Sequence, residues 1–192
     1  MKTYLNSYRV PSIVGVTLIA FGIAIWVGIS HLQELAHIEL ERKESEWRQK
    51  WFDDVKGGKH YATIMDPKII PMLANDSDCV RNITALHFSM VKIEPNEASP
   101  IEQLVNVRHI FFYDTRGTDA VLESAKKLQV ESLAFDMARP SEASLKGLAD
   151  FPSLKKIHFG HILYPREIAI LETLDPKIEL DAIHRAEVDP PR

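Results

Sequence analysis

The sequence predicts an α/β protein: an N-terminal transmembrane helix and a helical stalk, then a short solenoid whose stacked strands make a parallel sheet. Two observations carry this. No residue between Arg9 and His31 bears a formal charge, and from Ile83 onward an apolar pattern returns every 23 or 24 residues. The expected order is a tail over 1–9, a transmembrane helix over 10–30 and a charged helical stalk over 31–58. An N-terminal cap over 59–82, a domain of about four repeats over 83–181 and a C-terminal tail over 182–192 complete it.

The uncharged run VPSIVGVTLIAFGIAIWVGIS has 21 residues. At 1.5 Å per residue it spans about 31 Å, close to the thickness of a bilayer's hydrocarbon core. Tyr8 and Trp26 lie towards its two ends, where amphipathic rings favour the interface, and Pro11 suits a first helical turn. A cleaved signal peptide is the competing reading. Its apolar region would be only about 7–15 residues long and would end in a polar stretch, which this run lacks. Lys2, Arg9 and the α-amino group crowd the short tail, whereas the far side meets no Lys or Arg until Arg42. The positive-inside rule therefore places the N-terminus in the cytoplasm and the repeats on the non-cytoplasmic side. Ala20, Ala24 and Gly28 form a small-xxx-small stripe suited to packing against another membrane helix.

From His31 to Lys56 the chain is rich in helix formers and contains neither Gly nor Pro. Leu32, Leu35 and Ile38 keep a short apolar stripe, which ELERKESE interrupts, so a solvated helical stalk is expected rather than a coiled coil. Trp47, Trp51 and Phe52 return at helical spacing and are expected to tuck the stalk's end onto the domain; Gly57–Gly58 ends the helix. A short cap helix follows, with Asp66 as its cap, Pro67 in its first turn and Ile69, Ile70, Met72 and Leu73 facing a core.

Four segments then align: ITALHF from Ile83, VRHIFF from Val107, VESLAF from Val130 and LKKIHF from Leu154. Each is apolar at its first, fourth and sixth positions. A second apolar trio follows in each unit: Ala98, Ile101, Leu104; Leu122, Ala125, Leu128; Leu145, Leu148, Phe151; Ile168, Leu171, Leu174. With 45% hydrophobic residues, agreement at every one of these positions has a chance on the order of one in a hundred million, so a period survives the freedom of choosing the alignment. Alternation turns the fourth and sixth residues inward and the third, fifth and seventh outward. The second trio is one face of a helical turn. Neither element buries its apolar face alone, so units stack. A last, degenerate strand is expected to hold Ile178 and Leu180. An ordinary α/β domain with a parallel sheet is the alternative.

This pattern resembles the leucine-rich-repeat family, with its LxxLxLxxNxL motif at a period of about 20–29 residues. The resemblance covers Ile83 to Leu180. The family's Asn, which bonds the turn after the strand, is replaced by Val91, Thr115, Ala138 and Ile162. The layout is similar to short membrane-anchored members of that family in planctomycete-type bacteria. The resemblance implies a binding module and assigns no activity.

The net charge of −4 provides no basic field for nucleic acid, and Cys79 is the only cysteine. No P-loop, GxSxG, HExxH, paired CxxC or dinucleotide fingerprint occurs. A binding protein without a cofactor or metal is therefore expected, not an enzyme. Its candidate partner-binding residues are His87, His109, Phe111, Tyr113 and His158, outward on the concave face, with His161 at an eighth position also expected there. Ile110 and Phe112 serve the core, which leaves Phe111 and Tyr113 exposed as aromatic anchors for a protein partner. Residues 10–30 meet the lipid bilayer. An accessory structural subunit of a membrane complex, docked through the Ala20/Ala24/Gly28 stripe, is the second reading.

Overall fold

The computed structural model describes residues 26–39, 42, 43, 46, 49 and 60–188. The chain divides into two compact units, Met1–Gln49 and Lys50–Arg192. In the first, residues 26–39 are helical (α1), with Trp26, Val27, Ile29, Leu32, Leu35 and Ile38 all exposed. Arg42 pairs with Glu39 at 2.6 Å and also with Glu46, and Lys43 reaches Glu39 at 3.6 Å. These i,i+3 and i,i+4 ion pairs suit a solvated helix face. Among the described residues no helix is long and apolar enough to cross a membrane. Of the expected span only 26–30 are described; Ala20 and Ala24 lie outside the described residues, as do Trp47, Trp51, Phe52 and Gly57–Gly58.

The second unit is a six-stranded parallel sheet whose strands lie in chain order. They are β1 (Tyr61–Ile64), β2 (Ala85–Ser89), β3 (His109–Tyr113), β4 (Ser132–Asp136), β5 (Lys156–Leu163) and β6 (Glu179–Arg185). The register pairs Tyr61 with Ala85, Ala85 with His109, His109 with Ser132, Ser132 with Lys156 and Lys156 with Glu179. Each step is 23 or 24 residues, the period read from the sequence. Helices α2 (Ile69–Asn75), α3 (Ser77–Asn82), α4 (Pro95–Ala98), α5 (Thr118–Ala125), α6 (Glu142–Lys146) and α7 (Pro165–Leu171) occupy the returns, with 3₁₀ turns at Ser99–Gln103 and Gly147–Asp150.

All twelve inward positions of the four aligned segments are buried, and so is every member of the second trios except Ile168, which is partly buried. Strand and helix residues form a single cluster, so the helices line one face of the sheet. The sixth positions stack through it: Phe88, Phe112, Phe135 and Phe159 lie 5.4, 5.2 and 5.2 Å apart, centroid to centroid, with planes within 19°. Each ring contributes about 1.5–3 kcal/mol by burial alone, and the offset stacking adds to that.

The cap differs from expectation. The segment assigned to the cap contains a strand: β1 adds a unit before Ile83, with Ala62 and Ile64 buried opposite Leu86 and Phe88. The cap helix begins at Ile69, and Asp66 accepts a hydrogen bond from the Lys68 N–H at 2.9 Å in a turn ahead of it. Met72 is only half-buried. A further helix, α3, was not anticipated; Asp76 caps it by accepting from the N–H groups of Asp78 and Cys79.

The turns after the strands repeat as well. Met90, Asp114 and Met137, each at the eighth position of its unit, have φ of 50°, 42° and 54°. The left-handed residue ends each strand, and the ladder carries one bond past it: the Met90 N–H donates to the Tyr113 carbonyl of β3 and the Asp114 N–H to the Asp136 carbonyl of β4. At the positions of the missing Asn, Val91 and Ala138 are simply buried, while Thr115 places its hydroxyl 3.1 Å from the carbonyl oxygens of both Phe88 and Tyr113. Ile162 is 46% exposed, because in that unit the strand runs on. β5 bulges between Phe159 and Ile162, and His161 in the bulge packs edge-on against Phe159 at 5.6 Å. His161 is half-buried there rather than displayed on the outer face.

Candidate functional site

The sheet face opposite the helices is built from the outward residues of the six strands, so the register fixes its layout. One row across the strands reads Thr63, His87, Phe111, Ala134, His158, Asp181. The row before it reads Tyr61, Ala85, His109, Ser132, Lys156, Glu179, and the row after it joins Ser89, Tyr113 and Asp136.

His87 and Phe111 meet in this register, their rings 4.6 Å apart and inclined by 54°. Phe111 is therefore half-buried, as are Tyr113 and His87, where full exposure of the aromatics was expected. Burial pushes the His87 imidazole below its ordinary value, and its Nε2 has no hydrogen-bond partner. A neutral ring lying against Phe111 makes this part of the face apolar. His109 is exposed and places Nδ1 2.7 Å from Ser132 Oγ. His158 places Nδ1 2.9 Å from Asp181, and Lys156 pairs with Glu179 at 2.7 Å. The structure thus joins His87 to Phe111 but gives His109 and His158 separate partners. Gly28 lies in α1, and an added Cβ there would meet nothing within 4 Å.

Asp136 was missed by sequence reasoning. It stands outward beside Tyr113, and its Oδ1 would lie 2.9 Å from a Cβ added at Gly160. The carboxylate therefore leans over the bare backbone of β5. Its only legible signal was a seventh-position acid two residues after Ala134.

Recesses also lie away from this face. A groove of about 270 Å³ at the strand ends is lined by Met90, Val91, Lys92, Asp114 and Arg116. Lys92 is tied to Glu94 at 2.6 Å, which holds its ammonium above its ordinary value. A cleft of about 650 Å³ at the opposite strand ends includes Glu131, Phe151, Lys155 and Ile178; there Lys155 pairs with Glu131 at 2.6 Å and lowers its carboxyl below the usual range. Among the described residues no three His, Cys, Asp or Glu side chains gather as a metal site requires. Compared with known protein families, curated proteins and solved structures, the chain gives no match.

Proposed function

We propose that this chain is a membrane-anchored binding module: a leucine-rich-repeat-like solenoid that presents its helix-free sheet face to a protein partner. The observation that supports it is the half-buried aromatic centre at His87, Phe111 and Tyr113, flanked by the small Ala134 and the polar His109 and His158. Aromatic anchors on a rigid sheet with a polar rim are the usual layout of an interface hot spot. The constant 23–24 residue register supports stacked repeats, and the uncharged run over 10–30 supports the anchor. Full-length protein and its Phe111→Ala and Tyr113→Ala variants, used to recover partners from mild detergent, test this. Partner loss with an unchanged melting temperature is expected; an intact partner set with a lower melting temperature defeats the reading.

The second reading is a structural subunit of a membrane complex. The exposed apolar residues of α1, with Gly28 open among them, favour it. Gly28→Leu discriminates: a subunit leaves its complex, whereas a tethered receptor keeps its partner. The anchor itself is tested by N-terminal sequencing of the mature protein, since a start near His31 rules it out.

A further inference from the structure

The helix-free face is not evenly filled. β4 contributes Ser132, Ala134 and Asp136 to it, all short, whereas β3 contributes His109, Phe111 and Tyr113 and β5 contributes Lys156 and His158. Tall side chains on both neighbours beside Ser132 and Ala134, and Tyr113 on one side of Asp136 with Gly160 open on the other, make a trough along β4. With strands about 4.8 Å apart its walls stand about 10 Å from each other. That width admits a single extended chain.

The trough's ends differ in charge. On this face Lys156 is neutralised by Glu179 and His158 bonds Asp181, while His109 bonds a serine hydroxyl. Beyond it, Arg139 is committed to Glu167, the Ile162 carbonyl and the face of Tyr164. Among the described residues the Asp136 carboxylate has no hydrogen bond and no ion pair; His161 feels its charge, but burial pushes that imidazole below its ordinary value and so towards the neutral form. The floor therefore runs from an apolar step at Ala134, walled by Phe111, to an unneutralised carboxylate about 7 Å further along the strand. Gly160 supplies the space into which that carboxylate leans.

Building on the binding-face reading above, we propose that the trough over β4 takes an extended peptide segment of the partner. One apolar side chain seats on Ala134 against Phe111, and a Lys or Arg two residues away pairs with Asp136 beside Tyr113. Alternate residues of an extended chain are also about 7 Å apart, so the two side chains reach the two steps together. The cation donates a charge-assisted hydrogen bond to the half-buried carboxylate and packs against the ring of Tyr113.

The test is a displayed library of random ten-residue peptides, panned on the full-length protein in dodecyl maltoside and counter-selected on Phe111→Ala. Enriched sequences should carry Leu, Ile, Phe or Met two positions from Lys or Arg. A fluorescent copy of the best peptide should bind Asp136→Asn about tenfold more weakly, with the melting temperature unchanged. Gly160→Ala, which displaces the carboxylate, should weaken it similarly, and Asp136→Ser stands in if the asparagine variant does not fold. Enriched peptides that lose binding with Phe111→Ala but show no basic preference, or bind Asp136→Asn as tightly, overturn the cation-binding trough and leave the binding face intact. Absence of enrichment, or peptides indifferent to Phe111→Ala, overturns both.

Discussion

Phe112 and Phe135 stack with centroids 5.2 Å apart and planes within 5° of parallel, although 23 residues separate them in the chain. The contact exists because the register places successive sixth positions side by side. Phe135→Ala removes one of the two inner rings of a four-ring ladder and should cost about 3–5 kcal/mol, by lost transfer energy and a residual cavity. Phe135→Leu should cost less than half as much. Equal losses in denaturant titrations would show that the ring's shape, rather than its volume, holds the ladder.

Gly117 precedes α5 with φ of 80°, and a Cβ there would fall 1.9 Å from the Ile93 carbonyl oxygen. Both the backbone conformation and the close approach require glycine. Gly117→Ala should destabilise by more than about 2 kcal/mol, read as a lower denaturation midpoint.

Thr115 stands where a leucine-rich repeat carries Asn, and its hydroxyl approaches two strand carbonyl oxygens. Thr115→Val keeps the shape and removes the proton, leaving those acceptors short of a donor in a 5% exposed site. A loss of about 1–2 kcal/mol is expected. Thr115→Asn, with donors of its own, should recover part of it.

Burial pushes the imidazoles of His87 and His161 below their ordinary 6.5, and for His161 the nearby Arg139 adds to this. Below about 6.5 the unfolded chain takes up protons that the folded one refuses, so stability falls as pH drops through that value towards the folded pKa. Melting temperatures measured from pH 7.5 down to 5 should decline, and more shallowly in His161→Phe. A His161→Phe profile as steep as the parent's would assign the acid sensitivity elsewhere.

The inward half of the sheet was legible because it obeys two periods at once, alternation within a strand and 23–24 residues between strands. β1 escaped because the sequence has Lys59, not an apolar residue, 24 residues before Ile83, so the pattern's first apolar position is missing. The left-handed turns were invisible: methionine has no preference for positive φ, and the surrounding fold imposes it on Met90 and Met137. The bulge at Gly160–His161 had one local signal, the glycine where the other units carry Ser89, Tyr113 and Asp136, and that signal was not read. At the site, Phe111 and His87 were legible as outward residues at one repeat position on neighbouring strands, and the register pairs them with their rings in contact. Asp136 looked like any solvated acid until Gly160 was placed beside it.

Because each strand pairs only with its neighbours in the chain, no pairing needs a loop longer than about one unit to close. The entropy of closure is met in small equal steps, and folding can spread outward from any adjacent pair. Opening is then graded rather than all-or-none. Leu180 in β6 is already 38% exposed, whereas the inward residues of β3 and β4 are sealed on both sides. Amide exchange should be slowest in β3 and β4 and fastest in β6, so that the segment bearing the aromatic centre stays folded while the last strand comes and goes.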